Sequence, residues 1–302
     1  MSSSISTAPR PRPARARSIQ QQRRIQRSVR AVIIALAVVF AIFPVIWIIS
    51  AAFNPTSSLA SQQLIPPNAS TANFEELLND PLHPIFLWIR NSVRVSAITS
   101  GLAVFVTAFT AYAFSRFRFR GRRSLLLTVL LIQVFPNMLM MVALFLLLRQ
   151  IGEYVPWLGL NTHGGLILVY LGAQMGINIW LMKGYFDSIP RDIDESAMVD
   201  GASHWQAFWR LIFPLVRPIL AVVGILAFVG SYNEFILASV LLRSNENHTL
   251  MVGLYQFVTQ TFSQSWGVFA AGALIGAVPI AVIYILLQDQ IVGGLTQGAV
   301  KG

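Results

Sequence analysis

Long apolar runs recur along the chain and are separated by shorter polar stretches. Each run has about 20 residues or more, which is the length that an α-helix needs to cross a bilayer. The runs cover residues 31–53, 92–114, 124–148, 166–186, 216–238 and 268–287. This pattern predicts an all-α membrane protein with six transmembrane helices and with both termini on the same side of the membrane.

The composition and the charge distribution agree with this prediction. Hydrophobic residues make up 55% of the chain and charged residues 11%, whereas about a quarter of an ordinary soluble domain is charged. The net charge of +10 could suggest nucleic acid, but eight arginines lie between residues 10 and 30 and five between residues 116 and 123, next to apolar runs. Basic residues beside membrane spans favour the cytoplasmic side, so we expect both clusters and both termini in the cytoplasm.

Three regions follow from this distribution. Residues 1–30 are rich in Ser, Pro, Arg and Gln and are predicted to form a disordered basic cytoplasmic tail. Residues 31–290 form the six-span domain, and residues 291–302 form a cytoplasmic C-terminal tail. Residues 54–84 contain no Lys or Arg, so we expect them outside, with a short helix near residues 73–80.

The longest polar-rich interruption in the last two-thirds of the chain covers residues 189–215, here called the coupling loop. Its first half begins with Pro190, followed by Asp192, Asp194 and Glu195, at the end of a helix where the dipole favours negative charge. Gly201 stands where such a helix would end. The first half therefore predicts a short, exposed, acidic helix.

The second half of the coupling loop has a different pattern. Trp205, Phe208, Trp209 and Ile212 recur at the spacing of one helical face. Pro214 is expected to break this helix before the next apolar run. The loop as a whole predicts a helix–turn–helix element at the cytoplasmic face of the membrane.

The spacing of four residues in this loop resembles that of a known family. Glu195, Ala197, Gly201 and Pro214 keep the spacing of the loop that defines permease subunits of ABC importers. An amphipathic interfacial helix with a chance glycine and proline is the alternative. The loop departs from the family pattern by roughly size-conserving replacements at Ser196, Leu211 and Phe213.

The resemblance implies the type I ABC importer permease fold, in which this loop is a coupling helix that sits in a cleft of an ATPase subunit. It implies a heterodimer with a second permease subunit, two ATPase subunits, an extracytoplasmic sugar-binding protein and contact with membrane lipid, with no nucleic acid. The implied location is the bacterial cytoplasmic (inner) membrane. The implied ATPase-coupling residues are Asp192, Glu195, Ala197, Asp200, Gly201 and Pro214.

The C-terminal residues imitate a phosphate-binding loop without its chemistry. Gly293 and Gly298 are correctly separated, but Ala299 stands where a P-loop needs lysine. We therefore expect no ATP site, no enzyme activity and no bound cofactor in this chain, with ATP and Mg²⁺ on the partner ATPase. The tail resembles that of the shorter permease subunits of maltose-type importers, where it reaches the ATPase interface; a frayed terminus is the alternative. The implied tail residues are Gly294, Thr296, Gly298, Lys301 and Gly302.

Polar side chains inside spans are costly in lipid and should face another helix or water. Gln174 and Asn178 in the fourth span belong to this class and, like Gln133 and Asn137, are candidates to line a solute path. Hydrogen bonding between neighbouring helices is an equally good interpretation for any one of them. Residues 232–235 also resemble a Trp-Asn-Glu-Phe stretch frequent in sugar-importing permeases. The candidate path residues are Gln133, Asn137, Asn233 and Glu234.

An outer segment, residues 254–266, corresponds by resemblance to a loop that enters the sugar cleft of the binding protein, although the expected proline is absent. Its candidate contacts are Gln256, Thr259 and Phe262.

The function implied is the permease subunit of an ATP-driven importer of maltose, maltodextrin or a related oligosaccharide such as trehalose, working by alternating access. The alternatives are an importer of another solute class, an ion-coupled transporter or a scaffold without transport. The chain has no cysteine, and its four histidines are far apart in sequence, so no metal site is predicted.

Overall fold

The computed structural model describes residues 14–56, 63–134, 136–259 and 265–299, and within these ranges it contains helices and no strands. A π-helical turn covers Phe208–Ile212. The helices are α1 Ala14–Ala52, α2 Ala72–Asn79, α3 Ile85–Arg116, α4 Arg122–Val134, α5 Asn137–Tyr154, α6 His163–Ser188, α7 Asp192–Val199, α8 His204–Ala207, α9 Phe213–Tyr232, α10 Ile236–Leu241, α11 Leu250–Thr259 and α12 Trp266–Ala299. This confirms the predicted all-α class and the short helix expected between the first two spans.

Among the described residues, five helical segments are long and apolar enough to cross a membrane. They are Arg23–Ala52, Ile85–Arg116, His163–Ser188, His204–Tyr232 and Trp266–Gln290. The remaining predicted span, residues 124–148, is not one straight helix, because α4 and α5 meet at an angle of 104°. Pro136 lies at this break, where it lacks a backbone N–H donor. Together the two helices have the length and composition of a sixth span.

The basic N-terminal region differs from its prediction. Helix α1 begins at Ala14, so the disorder predicted up to residue 30 is wrong from that point on. Arg23, Arg24, Arg27 and Arg30 lie on exposed turns that lead into the first apolar segment. Arginine and glutamine have good helix propensities, and a helix already formed by the apolar run extends at low cost through such residues.

The fifth predicted span also differs at both of its ends. Pro214 does not end the preceding helix, because it lies in the first turn of α9 directly after the π-helical turn. A local π turn is one of the adjustments that accommodate proline within a continuing helix. At the other end, α9 stops at Tyr232 and α10 starts at Ile236. Glu234, predicted inside the span, therefore lies in a break of the helix.

The central packing unit consists of α3, α6 and α9. One core cluster joins Ala111 of α3, Phe186 of α6 and Val216 of α9, and all three are buried. Helix α12 packs against α1 and α11 at the side of this unit. A Cβ atom at Gly272 would lie 2.4 Å from Leu254, and one at Gly276 would lie 2.3 Å from Leu250. These glycines therefore allow close packing of α11 on α12 within the subunit.

The helices have two ends that carry different loops. At one end, here called the basic face, α3 finishes at Arg116 beside the α6–α7 junction, since Arg116 Nη2 donates to the carbonyl oxygen of Ile189 at 3.2 Å. At the opposite end, the far face, Trp88 Nε1 donates to the carbonyl oxygen of Asn245 at 3.0 Å. His163 Nε2 lies 3.0 Å from the carbonyl oxygen of Asn247 there. The coupling loop and α11 thus lie on opposite faces.

Candidate functional site

Helix α7 forms the first half of the coupling loop. Its first turn carries three carboxylates, which suit the positive end of the helix dipole. The helix ends at Val199, and Gly201, just beyond it, has a φ of +84° and donates its N–H to the carbonyl oxygen of Met198 at 3.1 Å. A Cβ atom disfavours this left-handed conformation by about 1–2 kcal/mol. The predicted helix and its glycine end are therefore confirmed.

Helix α7 has two faces with different chemistry. Asp194 and Ala197 are three residues apart, lie on one face and are buried against the chain itself. The prediction of a wholly exposed acidic helix is therefore wrong for Asp194, and Ala197 contacts its own subunit. The opposite face is open, and the side chain of Val199 on it is 87% exposed. The exposed residues from Asp192 onward are Asp192, Glu195, Ser196, Met198, Val199 and Asp200.

The buried face of α7 is fixed to α3 by a buried ion pair. Arg116 Nε lies 2.7 Å from Asp194 Oδ2, and each side chain is only 6% exposed. Tyr112 Oη donates to Asp194 Oδ1 at 3.2 Å. Tyr112 and Arg116 are one helical turn apart on α3, so both reach the same carboxylate. Neither Asp194 nor Arg116 was among the predicted site residues. The only signal in the sequence was the spacing that places Asp194 beside Ala197.

Three further hydrogen bonds hold the end of α6 and the start of α7 on α3. Arg191 Nη2 donates to the carbonyl oxygen of Ser115 at 2.7 Å. Ser115 Oγ donates to Asp187 Oδ1 at 2.7 Å. Together with the contact between Arg116 and Ile189, these bonds leave residues 187–194 little freedom to move independently of α3.

The second half of the coupling loop packs on the same part of α3 through aromatic rings. Phe109 stacks on Trp205 with centroids 5.5 Å apart and planes 5° apart. Phe208 lies 4.9 Å from Tyr112 in an edge arrangement. Phe208 and Ile212 are buried as the apolar stripe predicted, while Trp205 remains 61% exposed because only one side of its ring is covered. Helix α3 therefore supports both halves of the loop.

The turn between these halves is stabilised locally. Ser203 Oγ accepts from the N–H of Gln206 at 3.3 Å, and Gln206 Oε1 accepts from the N–H of Ser203 at 2.8 Å. This reciprocal capping fixes the start of α8. Pro214 lies beyond it on an exposed turn of the continuing helix. The loop is thus rigid toward its own subunit and presents an acidic and apolar surface outward, which suits protein binding.

The predicted ATPase-interface tail is described only in part. Helix α12 continues to Ala299, so Gly294, Thr296 and Gly298 belong to its last turns. Lys301 and Gly302 lie outside the described residues. The contribution of the tail stays a prediction.

The four candidate path residues do not form one group. Gln133 Nε2 donates to the carbonyl oxygen of Ala173 at 2.9 Å and lies over Gly176, so it joins α4 to α6. The side chain of Asn137 lies outside the described part of the structure. Asn233 is exposed after the end of α9. Glu234 lines a cavity between α6 and the α9–α10 break, whereas Gln133 lines a different cavity between α4, α5 and α6.

The candidate contacts with a binding protein lie on α11 at the far face. Gln256 Nε2 is 2.9 Å from His248 Nδ1, and because an amide nitrogen only donates, this histidine nitrogen accepts. Burial lowers the pKa of His248. Thr259 is exposed and donates to the carbonyl oxygen of Tyr255 at 3.0 Å, while Phe262 lies outside the described residues. Within the described ranges, no group of three His, Asp or Glu residues could hold a metal ion.

Comparison with known proteins gives consistent results. A protein family described as the binding-protein-dependent transport system inner membrane component matches residues 101–292. The maltose/maltodextrin transport system permease protein MalG of Vibrio vulnificus (strain YJ016) is 42% identical over 272 residues, covering 86% of this chain and 91% of the relative. The galactooligosaccharides transport system permease protein GanQ of Bacillus subtilis (strain 168) is 41% identical over 271 residues, covering 89% and 94%.

The fold also has a counterpart of known structure. A bacterial ABC transporter involved in the import of the acidic polysaccharide alginate contains a chain that superposes with a TM-score of 0.71. The two chains are 27% identical, and the match covers 89% of this chain and 97% of the other. The likeness therefore extends over almost the whole length of both chains.

Proposed function

This chain belongs to the family of inner membrane components of binding-protein-dependent transport systems, and we propose that it is a permease subunit of an ATP-driven sugar importer. The names of two relatives support the substrate class, because these relatives are permease proteins of transport systems for maltose and maltodextrin or for galactooligosaccharides. The proposed substrate is an oligosaccharide, with maltose or maltodextrin as the first choice and trehalose as a related one.

The observation that carries this proposal is the division of α7 into two faces. Its inner face is fixed to α3 through Asp194 and Arg116. Its outer face presents the apolar Val199 between the carboxylates of Glu195 and Asp200. An exposed apolar group with a charged rim is the usual anatomy of a protein-binding surface. We infer that this face docks into a cleft of an ATPase subunit.

The proposed mechanism is alternating access. ATP and Mg²⁺ bind to the ATPase subunits, and closure of the ATPase dimer moves the clefts that hold α7. The ion pair between Asp194 and Arg116 and the stacking of Trp205 on Phe109 pass this displacement to α3. Because α3 packs on α6 and α9, the spanning helices then rotate together. ATP binding thereby shifts the population between inward-open and outward-open arrangements.

The same proposal assigns the partners and the orientation. A second permease subunit would complete the membrane part, and two ATPase subunits would bind at the basic face. An extracytoplasmic sugar-binding protein would bind at the far face, near the exposed residue Thr259. The arginines near Arg116 favour a cytoplasmic basic face in the bacterial inner membrane, with both termini on that side.

Purification of the full chain from its native membrane in mild detergent tests this function. Mass spectrometry should identify an ATPase and a second permease in the purified complex. After reconstitution, the binding protein should stimulate ATP hydrolysis and the uptake of maltose, maltotriose or a galactooligosaccharide. If the chain purifies alone and an ion gradient, without ATP, drives uptake, the importer proposal is wrong.

A further inference from the structure

A groove with a volume of about 690 Å³ lies between α3 and α6 and is here called the α3–α6 groove. Arg94 and Trp157 line it at the far face. From there its apolar lining continues toward the middle of the membrane along Ile98 and Leu102 of α3 and Leu168 of α6, and all three side chains are exposed. The groove is therefore accessible, polar at one end and apolar along its length.

The sequence of α3 gives the depth of this groove in the membrane. Residues 95–115 contain no charged side chain, and the rise from Arg94 to Arg116 is roughly 33 Å at 1.5 Å per residue. The hydrocarbon core of a bilayer is about 30 Å thick. With Arg116 at the basic face, Arg94 lies at the level of the outer headgroups. The apolar part of the groove is thus at the depth of the outer leaflet.

The charge of Arg94 has no counterpart in this part of the subunit. Arg94 and Arg90, one helical turn apart on α3, are both exposed, and no ion pair within the described ranges includes either of them. The neighbouring polar groups are hydrogen-bonded, since His163 Nε2 lies 3.0 Å from the carbonyl oxygen of Asn247 and Asn247 Nδ2 donates to that of Asn161 at 2.7 Å. Basic residues beside spans favour the cytoplasmic side, so two arginines at the outer end of a span call for an anionic partner.

Trp157 lies at the same end of the groove because of a close contact with α6. A Cβ atom at Gly164 would lie 2.2 Å from the carbonyl oxygen of Trp157 and 3.0 Å from its ring, so residue 164 must be glycine. The side chain of Trp157 is still 67% exposed. Indoles are enriched at the headgroup level of membranes, where one end is apolar and the other is wet. The position of Trp157 therefore agrees with the depth assigned to Arg94.

We propose that the α3–α6 groove binds one anionic phospholipid of the outer leaflet. Its phosphate contacts Arg94 and Arg90, and one acyl chain lies between α3 and α6. The rise from Arg94 to Leu102 is about 12 Å, which is most of the half-thickness of the hydrocarbon core, about 15 Å. A free phosphate would leave this apolar part uncovered, and an acidic soluble protein would not reach it. The site goes beyond the proposed function, because it makes the subunit sensitive to the lipids around it.

The test uses the complete complex in vesicles that contain a phosphatidylglycerol probe with a photoactivatable diazirine in one acyl chain. After illumination, mass spectrometry of peptides should find the label on residues 98–102 or 167–171. An excess of unlabelled phosphatidylglycerol should compete with the probe, whereas phosphatidylcholine and inorganic phosphate should not. The same probe with a phosphatidylcholine headgroup should label these residues less.

Arg94→Gln should lower this labelling about fivefold, as expected for the loss of one arginine near an anionic lipid. Arg149→Gln is the matched control. It removes an exposed arginine from α5, and Arg149 does not line the groove. Its labelling should equal that of the wild type.

A second variant tests the apolar part of the groove and leaves the charge in place. Ile98 is 41% exposed, so a larger side chain at this position can enter the groove without displacing the core. Ile98→Trp should therefore lower the labelling of residues 167–171. Ile177→Trp is the control, because it makes the same change at an exposed residue of α6 that does not line the groove.

Three outcomes would refute the lipid site. The first is equal labelling of these residues by the phosphatidylglycerol and phosphatidylcholine probes, which would show only bulk lipid. The second is labelling that neither Arg94→Gln nor Ile98→Trp changes. The third is the absence of label from both walls of the groove, which would show that protein covers it in the complex. Labelling does not require transport, so its failure leaves the proposed function intact, and failure of sugar uptake leaves the lipid site testable.

Discussion

Arg116 Nε and Asp194 Oδ2 lie 2.7 Å apart, in a contact that joins the end of a membrane-spanning helix to the middle of the coupling helix α7. Both side chains are almost completely buried. Removing one partner of a buried ion pair costs about 3–5 kcal/mol, because the remaining charge has no compensation. The contact therefore makes α7 and α3 a single mechanical unit at the basic face.

The first prediction concerns this ion pair. Asp194→Asn and Arg116→Gln should each lower the stability of the complex by about 3–5 kcal/mol and reduce sugar uptake, because α7 loses its attachment to α3. The double variant should be less destabilised than the sum of the two single variants, since no uncompensated charge remains. Thermal unfolding of the purified complex measures this coupling.

The control for the ion pair is Asp192→Asn, which removes an exposed carboxylate from the same turn. Its melting temperature should stay close to that of the wild type. If the loss of stability in the double variant equals the sum of the losses in the Asp194 and Arg116 single variants, the two side chains do not stabilise each other.

The second prediction concerns the turn at Gly201. Its φ is +84°, and Gly121 in the α3–α4 turn has a φ of +85°, with open space around the Cβ position of both. Alanine at either position therefore meets about the same backbone strain of 1–2 kcal/mol. Only Gly201→Ala changes the end of the coupling helix, so it should reduce the amount of co-purified ATPase about fivefold or more.

Gly121→Ala serves as the matched control for that strain, and Gly201→Asn should retain more ATPase because asparagine tolerates the left-handed region better. Quantitative mass spectrometry of the purified complexes compares the three. Equal ATPase recovery in Gly201→Ala and Gly121→Ala would argue against a specific role of the α7 end.

The third prediction concerns the pH dependence of the far face. Burial lowers the pKa of His248 below its ordinary value, which is about 6.5 in an unfolded chain. Between that value and the lower native value, the unfolded state binds a proton that the native state does not bind. Stability should therefore fall as the pH drops below about 6.5. Above that value His248 is neutral in both the native and the unfolded state, so it should not make stability depend on pH.

His248→Gln should remove this part of the acid sensitivity, measured as the difference in melting temperature between about pH 7 and pH 5. His204→Gln, on the basic face, controls for the loss of a histidine in general. The assignment fails if His248→Gln keeps the full difference between the two pH values.

The apolar pattern of the chain was sufficient to predict its class and the positions of most spans, because a bilayer demands about 20 apolar residues per helix. It failed at Pro136 and Pro214, where hydropathy does not show how the backbone responds to a missing N–H donor. At Pro136 the helix breaks, whereas at Pro214 a π turn allows it to continue. The same residue type therefore has two outcomes that depend on the local helix geometry.

The candidate site shows a similar limit. The spacing around Glu195 and Gly201 was enough to locate the coupling loop, but it could not show which acid of α7 is buried. Asp194 differs from Asp192 through its contacts with Tyr112 and Arg116 of α3, which are distant in sequence and come close through the packing of α3 on α6. Gln133 and Glu234 likewise seemed equivalent as polar residues, yet they line two different cavities.

The most direct test of the account uses single cysteines, since the chain has none of its own. Val199→Cys places a thiol on the outward face of α7, Ala197→Cys places one on the buried face, and Tyr255→Cys places one on the far face. Each variant would be labelled in native membranes with a photoactivatable maleimide and illuminated. We predict a cross-link from residue 199 to the ATPase subunit, none from residue 197, and no ATPase product from residue 255. A cross-link to the ATPase from residue 255 and none from residue 199 would contradict the role of α7 as the coupling helix.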